Sequence, residues 1–204
     1  MIFNKGDCMS LKLKEMSKEE LWHLFPIILK EHNPDYKNWY EEEKKKLISM
    51  IGKDKIQRIN HIGSTSVHGL IAKPTIDILI EVENEQVIHD IKEILNSDEY
   101  ICLEQKDVYK NPAIFCMKGY SENGFAEKVY HIHIKIINNH KELYFRDYLQ
   151  SHPEVANKYG DLKIQLLKKY KHHRDNYTDN KTEFVQYYTS IARSIYPNRY
   201  KPKK

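Results

Sequence analysis

Residues 60–82 read NHIGSTSVHGLIAKPTIDILIEV, and this stretch decides the fold. Its second half alternates with period two: Ile76, Ile78, Ile80 and Val82 fall on one face of a strand, Thr75, Asp77, Leu79 and Glu81 on the other. One face is a core face and the other carries carboxylates. Residues 56–62 form a shorter strand ahead of it, ending in the small-residue turn Gly63-Ser64-Thr65. Backbone and hydroxyl groups of such a turn approach an anion closely, while an Asp fixed on the following strand can hold a hard cation against that anion's oxygens. Those are the parts of a nucleotide phosphate site.

Asp77 is flanked by isoleucines, where a carboxylate costs stability unless a metal or a cationic side chain accompanies it. A metal is one reading; an ion pair with Lys73 or Lys135 is the other. The alternation returns at residues 129–136, where Tyr130, Ile132, Ile134 and Ile136 make a core face and leave Val129, His131, His133 and Lys135 opposite. With both strands in one sheet, Asp77 and Glu81 share a surface with His131, His133 and Lys135. The two histidines are spaced to share one transition metal, to serve as a base or phosphate contact, or simply to sit half-buried on a sheet.

Between these strands, Val87 to Leu95 is an amphipathic helix and strands are expected at 100–104 and 113–117, followed by an Asn123-Gly124 hairpin turn. This order predicts an α/β chain with a mixed sheet and helices mainly on one side. Upstream, Ser17 to Glu20 has the form of a capping box for a short helix, and Ile27 to Leu29 reads as a brief edge strand. A helix over Tyr36 to Met50 presents Glu41 to Lys46 outward as a solvated charged face. Everything after Asn139 reads helical, with Pro153 early in one helix and another over Asn180 to Ile195. Three segments follow: a 1–25 extension, a 26–139 sheet core and a 140–204 helical part packed on it as one unit.

With 40% hydrophobic residues in 204 the chain can bury a core, and no apolar run is long enough to span a bilayer. The N-terminus lacks the apolar core of a signal peptide, so a cytoplasmic location is expected. Cys8, Cys102 and Cys116 are odd in number and scattered, which predicts reduced thiols, the last two buried in strands. Lys and Arg outnumber Asp and Glu by 11 to 4 in residues 160–204, a bias that fits either an anionic partner such as nucleic acid or ordinary Lys-rich helix faces.

The turn and first Asp resemble the glycine-serine signature and first catalytic acid of the nucleotidyltransferase superfamily. More narrowly, IGSTSV (62–67), GLIAKP (69–74), IDI (76–78), HIHI (131–134), FRDYL (145–149), HP (152–153), YGDLK (159–163) and KTEF (181–184) resemble the GrpB family over roughly residues 27–190. The resemblance implies a mixed central sheet of nucleotidyltransferase type and, as an enzyme, metal-dependent transfer of a nucleotidyl group from a nucleoside triphosphate to an acceptor. In that scheme Asp77, with Glu81, holds Mg²⁺ or Mn²⁺. Gly63, Ser64 and Thr65 bind phosphates, supported by Arg146, His131 and Lys135. Lys73 meets developing charge and His133 takes the acceptor proton. Two-ion catalysis wants a second acid two residues after the first. This chain has Leu79 there, and histidines where a neighbouring strand would supply a third. The alternative is a degenerate relative that binds a nucleotide or small anion without chemistry.

Overall fold

The computed structural model describes residue 13, residues 15–97 and residues 99–202. Cys8, most of the expected N-terminal extension and the last two lysines lie outside the described residues. Five strands, β1 (Arg58–Ile62), β2 (Thr75–Val82), β3 (Ile101–Lys106), β4 (Pro112–Ser121) and β5 (Gly124–Ile136), form one sheet in the order β1-β2-β5-β4-β3. Only β2 and β5 run parallel, so the architecture is α/β with a mixed sheet. Parallel neighbours need a crossover, and α3 (Glu85–Leu95) lies within it, entered through an Asn84 side chain that accepts from the Val87 amide.

The isoleucine face meets two helices. Ile76, Ile78, Ile80, Ile132 and Ile134 pack against Tyr36, Tyr40, Leu47 and Ile51 of α2 (Tyr36–Ile51) and Ile88, Ile91 and Leu95 of α3. Each such buried side chain contributes roughly 1.5–3 kcal/mol of transfer free energy. This is the main core. The opposite face is covered by the C-terminal half: α4 (Lys141–Ser151), α5 (Pro153–Tyr170), α6 (Arg174–Asp179) and α7 (Thr182–Ile195). A second core joins Tyr144, Tyr148 and Leu149 of α4 to Val155, Ala156 and Tyr159 of α5, to Ala192 of α7, and to Val67 and Leu70 of the loop before β2. That loop is thereby fixed between the sheet and the helices.

Several expectations need correction. Ile27 to Leu29 forms no strand; the pairing there is one isolated bridge between Lys30 and Ala72. The charged run on α2 is not wholly solvated, because Glu43 is 4% exposed and accepts from Tyr100 Oη at 2.7 Å and Lys118 Nζ at 2.6 Å. Cys102 and Cys116 are not free thiols. They are register partners on β3 and β4, their Cα atoms 4.0 Å apart, and they form a disulfide within the main core. The capping box is present at α1 (Lys18–Leu24), where the Glu20 amide donates to Ser17 Oγ and the Ser17 amide to Glu20 Oε2.

One irregularity bears on the site. The β4–β5 register shifts between Lys118 and Tyr120, around Gly119 with φ 87. A Cβ at Gly119 would lie 2.4 Å from the Lys128 carbonyl oxygen, so the approach admits only glycine. In a regular strand, residues three apart face opposite sides. The bulge instead leaves Tyr120 on the side of Met117, with its hydroxyl at His131.

Candidate functional site

Gly63, Ser64, Lys73, Thr75, Asp77 and His131 line a cavity of about 240 Å³, closed from the other side by Tyr159 and Lys163 of α5, Tyr177 and Thr178 of α6, and Lys181. The Gly-Ser turn is one turn of 3-10 helix, Ser64–Ser66, entered through Gly63 at φ 72. A Cβ on Gly63 would sit 2.2 Å from Asp77 Oδ2, so this glycine lets the backbone press directly on the carboxylate. Asp77 and His131 are register partners on the two parallel strands. Asp77 Oδ1 lies 3.3 Å from His131 Nδ1 and 3.6 Å from His133 Nε2. His131 Nε2 is 2.7 Å from Tyr120 Oη, which accepts from Arg174 at 3.3 Å. Both ring nitrogens of His131 are therefore engaged, and a neutral imidazole with its proton on Nδ1 satisfies both partners.

The electrostatics are lopsided. Burial alone would raise the Asp77 carboxyl, but hydrogen bonds and charge from His131 and His133 outweigh it and hold the group well below the ordinary carboxylate range. Burial pulls His131 down to about 4, with Lys73 and Arg174 adding to the fall and Asp77 opposing it. Lys73 is lowered to about 7 by burial and by the charges of Arg174 and Lys181, against the pull of Asp77. Lys163 falls to about 7 through burial, then Lys181 and Lys73, and Lys181 to about 8 through burial, with Asp77 opposing and Arg174 assisting. Lys163 is 2% exposed; its ammonium donates to Ser64 Oγ at 3.1 Å and to the Ile71 carbonyl, tying α5 to the Gly-Ser turn. Among the described residues neither Lys73 nor Lys181 has an ion-pair partner. Among the described residues the buried Tyr177 hydroxyl has no hydrogen bond, and Lys181 Nζ lies over its ring at 4.5 Å. Three amines thus line a small cavity together with one carboxylate, an excess of positive charge that suits an anion.

The remaining candidates are drawn elsewhere. Glu81 is four residues from Asp77, about 13 Å by strand rise, too far to share an ion with it. Its fully buried carboxylate accepts from Arg58 at 2.8 and 2.5 Å, and Arg58 also donates to the Asn138 and Tyr200 carbonyls. Lys135 is paired with Glu142 at 2.8 Å, and despite burial its charge pulls the Glu142 carboxyl down to about 2. Thr65 donates to the Thr75 carbonyl and contacts His61. Arg146 is held by Asp147, Asn60, the His61 carbonyl and Tyr200, and with Thr65 lines a separate cavity of about 510 Å³. The shared sheet surface is real, but it is divided into closed pairs rather than one concavity.

Leu79 is fully buried against Ile62 of β1 and Leu143 of α4, with Tyr200 beside them. The second-acid position is therefore sealed by the C-terminal helices. A pair of Mg²⁺ or Mn²⁺ ions needs several oxygen ligands, and among the described residues the only carboxylate lining this cavity is Asp77. Among the described residues no group of three or more His, Cys, Asp and Glu is arranged to hold a metal. The donor set does not fit a two-ion centre.

Sequence reasoning did not single out Lys163, Tyr159 or Tyr177 as site residues. The signal available was the YGDLK motif, which places Tyr159 and Lys163 four apart on one helix face.

A model of the GrpB protein family matches residues 26–190. The chain belongs to the GrpB family. A crystal structure of conserved protein GrpB from Enterococcus faecalis is similar with a TM-score of 0.70 at 29% identity, covering 83% of this chain and 99% of that one. Glutamate-rich protein GrpB of Alkalihalophilus pseudofirmus is 31% identical over 163 residues, covering 78% of this chain and 91% of that protein. UPF0157 protein YqkA of Bacillus subtilis is 30% identical over 174 residues; the match takes in 81% of this chain but only 48% of that relative. The GrpB match begins at Pro26, just after α1, and takes in every residue named above as lining the cavity. No helix among the described residues is long and apolar enough to cross a membrane.

Proposed function

We propose that this GrpB-family protein binds the phosphates of a nucleoside triphosphate, or of a similar phosphate-bearing small molecule, without the paired acids of two-ion nucleotidyl transfer. The observation that carries the reading is the convergence of the Gly63-Ser64 turn with Lys73, Lys163 and Lys181 on one cavity. Backbone and hydroxyl of the turn meet phosphate oxygens, and the ammonium groups supply the charge. Lys163 and Lys181 come from the basic 160–204 segment, so part of its charge points inward to this cavity.

A second reading, transfer of the nucleotidyl group to an acceptor hydroxyl, is favoured by the contact between Asp77 and His133. His133 is a quarter exposed and next to a carboxylate, as a general base would be. Its partners in that role are Lys73 and Asp77.

Thermal melting with each nucleoside triphosphate, with and without Mg²⁺ or Mn²⁺, tests the first reading. Ligand at a hundred times its Kd stabilises by about 2.7 kcal/mol, a rise in Tm of about 5–10 °C for a chain of this size. Absence of any shift with every nucleotide overturns it. Radiolabel transfer to an added acceptor decides the second reading.

A further inference from the structure

Ion-dependent phosphate sites gather carboxylates, which hold the cation that neutralises the ligand. This cavity gathers amines. Lys73 comes from the loop before β2, Lys163 from α5 and Lys181 from the turn before α7, so three separate elements each bring one ammonium group to the same 240 Å³ space. The single carboxylate facing them, Asp77, already shares Oδ1 with His131 and His133, and its Oδ2 is pressed by Gly63. The position where a second acid would sit is filled by buried Leu79. Tyr177 contributes its ring, over which Lys181 Nζ lies at 4.5 Å.

We propose that the cavity takes its phosphate ligand as the free anion, with Lys73, Lys163 and Lys181 in the place of a divalent ion. This rests on the phosphate-binding reading above and names the ligand's form. A phosphate chain restores the charge that crowding removes from the amines, so its binding takes up protons near and above neutral pH. The groups that face the amines are Asp77 and His131 from the sheet, Tyr159 from α5, and Arg174 and Tyr177 from α6. Of the charged groups among them, only Asp77 opposes the anion.

Titration calorimetry with ATP and, separately, with inorganic tripolyphosphate, in EDTA and in magnesium chloride, tests this on the full chain. The expected result is binding in EDTA at least as tight as with Mg²⁺, with proton uptake seen in buffers of different ionisation enthalpy. Each of Lys163→Met and Lys181→Gln weakens binding by about tenfold to a hundredfold, the worth of one charge-assisted hydrogen bond. Lys181 is half-buried, so its variant reports even where Lys163→Met fails to fold. Asp77→Asn tightens binding in EDTA by removing the one like charge. Tight tripolyphosphate binding assigns the recognition to the phosphates, and binding of ATP alone overturns that assignment. Binding that appears only with Mg²⁺ and is lost in Asp77→Asn overturns the free-anion proposal and leaves the phosphate site standing. No binding of either probe under any condition overturns both.

Discussion

Asp77 and Glu81 sit on the same face of the same strand, and the fold treats them oppositely. Glu81 is sealed: Arg58, its register partner on β1, meets both carboxylate oxygens, and the Asn138 amide adds a donor at 3.4 Å. Asp77 instead borders open space, outnumbered by amines that have no carboxylate of their own among the described residues. A carboxylate whose countercharge comes wholly from the fold is architecture. A carboxylate beside a surplus of the other sign marks a place where the fold has left charge for something else to complete.

The contrast breaks most severely at Glu81. Glu81→Ala leaves the Arg58 guanidinium without its carboxylate in a largely buried setting and is expected to cost about 3–5 kcal/mol in chemical denaturation, while phosphate binding in the surviving folded fraction stays intact. At the other end, Gly63→Ala puts a methyl group against Asp77 Oδ2 at a φ that disfavours any side chain. A cost of about 1–3 kcal/mol and loss of phosphate binding are expected. A Gly63→Ala protein that binds as well as wild type would remove the turn from the site. The contrast also extends to pH. The folded-state values of Lys73 and Lys163 lie near 7 against an ordinary 10.5. The stability contributed by keeping them neutral is complete above about pH 10.5 and is lost as pH falls through about 7. The unliganded protein should therefore melt higher as pH rises through that window, and saturating tripolyphosphate should flatten or reverse the trend.

The sheet side of the site could be read from the chain because alternation is local. The period of two in residues 75–82 and 129–136 puts Asp77 and His131 on polar faces, and the parallel register makes them neighbours. The Gly-Ser turn and Lys73 are bound to Asp77 by a dozen residues of chain. What the sequence hides is whatever depends on distant elements folding back. Lys163 and Lys181 reach the cavity only because the second core clamps α5 and the neighbouring helices over the loop before β2. The Cys102–Cys116 bond and the burial of Glu43 depend on which strand or helix lies alongside, and spacing along the chain does not carry that. The bulge at Gly119 is a further case. A reader counting alternate residues along β4 assigns Tyr120 to the wrong side and misses its contact with His131.

Leu79 has a bearing on any attempt to engineer transferase activity into this chain. Exchanging it for aspartate would drive an ionised group into the hydrocarbon seam between β1 and α4, with no water to receive it. The obstacle is a packed helix and not a missing functional group. Redesign would have to begin by lifting α4 away from the sheet.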